Sequence, residues 1–414
     1  MTEQKKIVPK RRFKEYQNTN AWEERKWIDT VDISTKMVNP KNVIYENIPH
    51  IGPGNIESFT GRILENVKSV KEENLISGKF HFNPGDIIYG KINPQLGKYA
   101  HVDFEGLASA DAYVLNAKNG VAQNFLFNIL QSRLFYKYSV SVSMRTGMPK
   151  INRDELNQYE YLAPSLDEQT QIGNFFKQLD DIIAFHQRKL EKAKVLKSAY
   201  LSEMFPAEGE REPKRRFAGF TQAWEQRKLQ EITLKIGSGK TPKGGESSYV
   251  LEGIPLLRSQ NVYDDLINLN DVAYITSQTD EEMKNSRVIK NDVLLNITGA
   301  SIGRSAVYRL SSPANVNQHV CIVRPVEGYS SDFIQLNLTS PKGQQQINNN
   351  QAGGGREGLN FQQIGKISFS FPSIEEQTRI STLFRKLDIL ITLHRRKLEK
   401  LQSIKKAYLN EMFV

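Results

Sequence analysis

The sequence predicts an α/β (α+β) chain with two-fold pseudo-symmetry: two mixed α/β blocks, each followed by one long helix, the helices pairing as an antiparallel coiled coil. Three observations lead there. Residues 164–205 return as residues 372–413 with no gap, and 23 of the 42 positions are identical. Apolar residues keep a heptad spacing along both copies. Upstream of each copy, short apolar runs alternate with Gly, Pro and Asn turns.

The first block, residues 1–164, opens with Pro9-Lys10-Arg11-Arg12-Phe13 and Trp22-Glu23-Glu24-Arg25-Lys26; the second, residues 219–371, is introduced by Pro213-Lys214-Arg215-Arg216-Phe217 and Trp224-Glu225-Gln226-Arg227-Lys228. Beyond these openings the blocks share patterning but little identity, as expected for one scaffold carrying two surfaces. Ile254 to Leu257, Val293 to Ile297, Val320 to Val323 and Ile367 to Phe371 read as strands. Phe125 to Tyr138 reads as one helix, with Leu126, Ile129, Leu130 and Leu134 on one face.

Each repeated segment, 165–205 and 372–414, begins with a capping box, Ser165 with Glu168 and Ser373 with Glu376, in which hydroxyl and carboxylate satisfy first-turn amides. The seam follows: Ile172, Phe176, Leu179, Ile183, His186, Leu190, Ala193, Lys197, Tyr200 and Met204, matched by Ile380, Phe384, Leu387, Ile391, His394, Leu398, Leu401, Lys405, Tyr408 and Met412. About five heptads at 1.5 Å per residue give a helix about 55 to 60 Å long. The seam histidines are read as register-setting polar residues rather than catalytic groups or ligands. Residues 206–218, rich in charge, Pro and Gly, form the linker.

The 414 residues, 39% hydrophobic and 25% charged, suit a folded protein with two or three cores. No segment is apolar enough for a membrane span, and Met1 to Lys6 lacks a signal peptide's apolar run, so a cytoplasmic protein is expected. The single cysteine, Cys321, allows no intramolecular disulfide and reads as core. The net charge of +10 favours an anionic partner. It is spread as +4 over residues 1–165, 0 over 166–205, +2 over 206–373 and +4 over 374–414, so no polybasic tail carries it.

Two glycine-rich strings look like nucleotide sites and fail as such. Gly237-Ser238-Gly239-Lys240-Thr241 lacks a P-loop's first glycine, since Leu234 stands there, and Gly353-Gly354-Gly355-Arg356-Glu357-Gly358 lies late in its block, outside an early strand-to-helix unit. Both read as loops whose Lys240, Thr241 and Arg356 can approach phosphates or base edges. For amino-methylation of bases, the closest string to the required loop is Asn93-Pro94-Gln95. Neither a nuclease cluster nor a transition-metal set is recognisable.

Two divergent blocks, each followed by a near-identical helix beginning Pro-Ser-x-x-Glu-Gln, resemble the specificity subunit of bacterial type I restriction-modification systems. The resemblance covers essentially the whole chain. It rests on Pro164 to Phe205 and Pro372 to Phe413, with support from Thr298-Gly299-Ala300-Ser301-Ile302-Gly303-Arg304 and Gly253-Ile254-Pro255-Leu256-Leu257-Arg258; the first block's counterparts, Gly90 to Lys98 among them, are altered.

The resemblance implies a non-catalytic DNA-recognition subunit with two globular target recognition domains separated by the helices. It implies double-stranded DNA with a bipartite asymmetric site, two methyltransferase subunits and restriction subunits, expected to be two, as partners. S-adenosylmethionine, ATP and Mg2+ would belong to those partners and no cofactor to this chain. DNA contacts are expected from Lys91, Lys98, Arg145 and Lys150 in the first block. In the second they are expected from Lys240, Thr241, Arg258, Gln260, Asn261, Ser301, Arg304 and Arg356. Phe175, Ile182, Phe185, Leu383 and Leu393 are expected to face the methyltransferases. Two rivals stand beside this reading: a single-chain DNA-modifying or restriction enzyme with an unfamiliar active site, and a coiled-coil scaffold that binds only proteins.

Overall fold

The computed structural model describes residues 8–144, 147–207, 210–351 and 358–414. The chain forms two compact units, Met1–Gln187 with Arg396–Val414, and Arg188–Arg395. Each unit holds one block and parts of both long helices, and the division between them crosses the helices in mid-length.

In the first unit, a four-stranded antiparallel sheet runs in the order Val31–Ile33, Ala112–Ala117, Ile87–Gly90, Tyr99–His101. A second sheet of five strands is ordered Met37–Val38, Lys79–Phe82, Gly106–Ala108, Pro49–Ile51, Lys68–Ser69, with one parallel pair, Pro49–Ile51 against Gly106–Ala108. Ile88, Ala100 and Val114 of the first sheet and Ile51, Phe80 and Phe82 of the second share one core, all buried.

In the second unit, Thr233–Ser238, Val320–Pro325, Val293–Asn296 and Ser305–Val307 form the four-stranded antiparallel sheet. Its companion, ordered Ala273–Ile275, Ile254–Leu257, Ala314–Val316, Arg287–Val288, again contains one parallel pair, Ile254–Leu257 against Ala314–Val316. The expected strands are present, with edges shifted by a residue or two. The expected single helix over 125–138 is instead two, Gln123–Gln131 and Arg133–Ser143, because extended Ser132 ends one and its hydroxyl accepts the Phe135 amide to start the other. The break resets the buried face: Phe135 is fully covered and Leu134 is 45% exposed.

The long helices span Leu166–Glu203 and Ile374–Met412. All twenty seam positions are buried or half-buried. Within the first unit, Phe175 meets Tyr408 and Phe176 meets Phe413; within the second, Phe205 meets Phe384. As one helix ascends the other descends, so the pairing is antiparallel. The seam lysines that interrupt the apolar pattern are neutralised across it: Lys405 Nζ lies 2.5 Å from Asp180 Oδ1, and Lys197 Nζ lies 2.7 Å from Asp388 Oδ1 and 2.7 Å from Asp265 Oδ2.

The capping boxes are half realised. The Ser165 and Ser373 hydroxyls accept the Glu168 and Glu376 amides at 3.5 and 3.4 Å, but the two carboxylates are taken by arginines from the blocks' opening motifs. Arg12 Nε and Nη2 each donate to Glu168 at 2.7 Å, and Arg216 repeats this on Glu376 at 2.8 and 2.9 Å. Gln169 accepts the Ala122 amide and donates to the Gly120 and Pro164 carbonyls; Gln377 does the same with Ser330, Gly328 and Pro372. The repeated Glu-Gln pair therefore fastens each block to the start of its helix.

Candidate nucleic-acid interface

In the first unit, strand Ile87–Gly90 delivers Lys91 to one end of its sheet. The Lys91 amide donates to the Asp111 carbonyl, the Ile151 amide returns to the Lys91 carbonyl, and Ile92 bridges Lys150. Lys91 and Lys150 are thus brought together. Lys91 Nζ and the Arg153 guanidinium lie 5.4 and 5.9 Å from the centre of the Tyr113 ring. Burial, then the charge of Lys150, holds the Lys91 amine below its ordinary pKa. A phosphate would relieve that repulsion.

Lys98 is differently employed, because its ammonium donates to the Ile56 carbonyl and ties down a loop. Arg145 lies outside the described residues. Sequence reasoning missed Arg153, which donates to the Ile33 and Ser34 carbonyls at 2.6 and 2.9 Å and lines an open groove with Asp32, Lys36 and Lys118. Its signal was weak, since it sits inside the Asn152–Glu155 capping box that starts a short helix.

In the second unit most of the expected residues gather around buried Asn296. Its amide donates to the Ser259 and Val262 carbonyls and to the Ser301 hydroxyl, joining the loop after Ile254–Leu257 to the loop after Val293–Asn296. Arg258 stacks over Tyr249 at 5.7 Å and Arg304 over Tyr263 at 5.6 Å, so both guanidiniums are held by rings. Gln260 donates to Asp271 at 3.0 Å. Asn261 is only 1% exposed, accepts the Arg258 amide and donates to the Asn268 and Asp271 carbonyls. Both its amide hydrogens are used, so it builds the turn that presents Arg258 and has no donor left for a base.

Lys240 and Thr241 follow strand Thr233–Ser238 on a loop pressed against strand Ala314–Val316. A Cβ at Gly239 would fall 1.6 Å from the Val316 carbonyl oxygen, and the Gly239 amide donates to the Asn317 carbonyl. Close packing, not phosphate binding, accounts for that glycine. The Thr241 hydroxyl donates to Gln318 Oε1 at 2.6 Å, Gln318 Nε2 lies 3.2 Å from His319 Nε2, and His319 Nδ1 lies 2.6 Å from Thr298 Oγ1. Gln318 and His319 were not singled out in the sequence, where Asn317-Gln318-His319 is merely a polar turn before an apolar strand, and Thr298 stood there only as the first residue of the Thr298 to Arg304 string. Arg356 lies outside the described residues.

On the helices, Phe175 packs edge-on to Phe13, Phe176 and Tyr408, and Leu383 lies against the second unit's core, so both serve internal packing. Ile182 and Phe185 are each 47% exposed and Leu393 is 44% exposed. Among the described residues no helix is long and apolar enough to cross a membrane.

The family profile described as the type I restriction modification DNA specificity domain matches twice, over residues 20–195 and 221–403. The chain belongs to this family of type I restriction-modification specificity subunits. It is 34% identical over 160 residues to the specificity subunit of the type I restriction enzyme EcoDI from Escherichia coli, a match covering 39% of this chain and 35% of that one. It is 22% identical over 336 residues to the MjaVIII specificity subunit from Methanocaldococcus jannaschii, covering 79% and 75%. Among solved structures, the type I restriction-modification S subunit from M. genitalium superposes with a TM-score of 0.67 at 15% identity, over 99% of each chain. That likeness establishes a shared fold across the whole specificity subunit.

Proposed function

We propose that this specificity subunit reads a bipartite, asymmetric duplex site, one half with each block, and performs no chemistry itself. The observation that carries the reading is one scaffold built twice with different loop chemistry at its sheet ends. The first unit offers the Lys91 ammonium and the Arg153 guanidinium at the Tyr113 ring; the second offers ring-stacked arginines and a fixed carboxamide. Cationic groups supply affinity through phosphates, and amides and guanidiniums supply base selection.

The helices would set the distance between half-sites, because continuous helices of 38 and 39 residues resist compression. Their exposed Ile182, Phe185 and Leu393 would dock two methyltransferase subunits, with restriction subunits, expected to be two, joining that core. S-adenosylmethionine, ATP and Mg2+ would be held by those partners, and the complex would work in the cytoplasm.

Mapping methylated adenines in a host that expresses the assembled complex tests the reading. A two-part motif is expected. Replacing residues 219–371 with the corresponding block of another specificity subunit should change one half of the motif only. A change in both halves, or methylation without a two-part motif, would overturn it.

A further inference from the structure

We infer that Gln318 reads an adenine in the half-site taken by the second block, with Thr241, His319 and Thr298 as positioning residues. The inference rests on the DNA-reading function proposed above and assigns part of it to one side chain.

Three backbone segments converge on Gln318. The turn carrying it is closed by the Asn317 side chain, which accepts the His319 amide, and the Asn317 amide donates to the Leu257 carbonyl. The His319 carbonyl accepts the Ile297 amide, and the Asn317 carbonyl accepts the Gly239 amide. Strands on three sides therefore fix the backbone of an exposed side chain. Exposed glutamines are ordinarily free rotors; this one is not.

A carboxamide has four hydrogen-bonding positions, two N–H donors and two oxygen lone pairs. The Thr241 hydroxyl, at 2.6 Å, uses one lone pair of Oε1. With the oxygen so placed, Nε2 faces His319 Nε2 at 3.2 Å and donates to it. The network then assigns the imidazole hydrogen to Nδ1, which donates to Thr298 Oγ1 at 2.6 Å. One donor and one acceptor remain on Gln318. Adenine presents the matching pair in the major groove, an N7 acceptor beside an N6 donor, whereas guanine presents two acceptors there. Because both ends of the amide are held, rotating it to suit another base would break two hydrogen bonds. Fixing the rotor before binding also removes an ordering cost from recognition.

The neighbouring groups fit such a site. Exposed Lys240 adjoins Thr241 and can meet the phosphate chain, and Gly299, at φ +71, turns the loop just beyond Thr298.

The test uses the full chain assembled with its methyltransferase subunits and a duplex library randomised over both half-sites. Wild-type protein should select a two-part consensus. Gln318→Ala should lose selection for adenine at one position of one half-site, by about tenfold or more, with every other position retained. Gln318→Glu, which offers only acceptors, should move that position toward cytosine, whose N4 is a donor. His319→Ala should weaken selection at the same position and nowhere else. An unchanged consensus in Gln318→Ala, or a uniform loss of affinity with the consensus intact, would refute the assignment while leaving the DNA-reading function standing. Failure of wild-type protein to select any consensus would refute both.

Discussion

The Glu168 carboxylate should be worth far more to stability than any surface charge on the long helices. Its side chain is 0% exposed and that of Arg12 is 7% exposed. Among the described residues Arg12 Nη1 is already buried without a partner, and once Glu168 is gone the guanidinium keeps, among them, only its bond to the Asn20 carbonyl at 3.1 Å. Removing one member of a buried pair leaves an uncompensated charge, and Glu168→Ala should therefore destabilise the first unit by about 3 to 5 kcal/mol. Lys177→Ala, which removes a pair with Asp181 whose side chains are 58% and 67% exposed, should cost about 0 to 1 kcal/mol. Replacing the pair together, as Arg12→Met with Glu168→Leu, should recover most of the loss because no charge stays buried. Two units need not unfold together, so one global free energy is not the quantity to fit. Urea titration of the full chain in a Trp224→Phe background leaves Trp22 and Trp27, both in the first unit, as the fluorescence reporters. A loss of less than about 1 kcal/mol for Glu168→Ala, or a double variant no better than the single one, would refute the reasoning.

Gly239→Ala should destabilise the second unit by about 2 to 3 kcal/mol and weaken DNA binding, since its Cβ would meet the Val316 carbonyl. Gly237→Ala, with its nearest neighbour at 4.0 Å, should do neither, and thermal melting compares the two. Burial holds His50, despite Glu73, and His101, despite the Gly85 carbonyl, below the ordinary 6.5, so protons favour the unfolded chain, which still protonates there. Their contribution is complete above pH 6.5 and lost as the pH falls through the lower folded values; His50→Gln with His101→Gln should flatten that decline in urea titrations across pH. Deleting four residues from one long helix removes about 6 Å and should shorten the tolerated gap between half-sites by one or two base pairs, read from methylation mapping. An unchanged gap would end the ruler reading.

The long helices were legible because their information is local and stated twice: a heptad needs only neighbouring turns, and the seam positions are indeed covered. Glu168 shows where local reading stops. A capping box and an arginine acceptor demand the same residue at the same place, and the choice was settled by Arg12, which lies 156 positions away in sequence. The seam lysines were visible as interruptions, while nothing in the local pattern marks Asp180 and Asp388 as their partners. At the candidate interface, sequence pointed to the cationic loops but could not separate Lys98 and Asn261, which hold loops in place, from Lys91 and Lys150, which the fold brings together. Gln318 was illegible for a further reason. What sets it apart is being held at both ends, by Thr241 from one loop and His319 from its own turn, and no spacing encodes that.

The opening motifs suggest a last consequence. The Arg215 amide donates to the Glu203 carbonyl at the end of the central helix, and the Arg11 amide donates to the Glu411 carbonyl at the end of the C-terminal one. Side-chain pairs repeat the arrangement, Arg215 with Glu203 and Arg11 with Glu411. In one place a peptide segment connects the partners; in the other the same junction is made without it. Backbone continuity at that junction is therefore dispensable to the contacts there. A permuted chain, opened within residues 206–212 and joined from Val414 to Pro9 by a segment of similar length, would keep both junctions and carry the two blocks in the opposite order of synthesis.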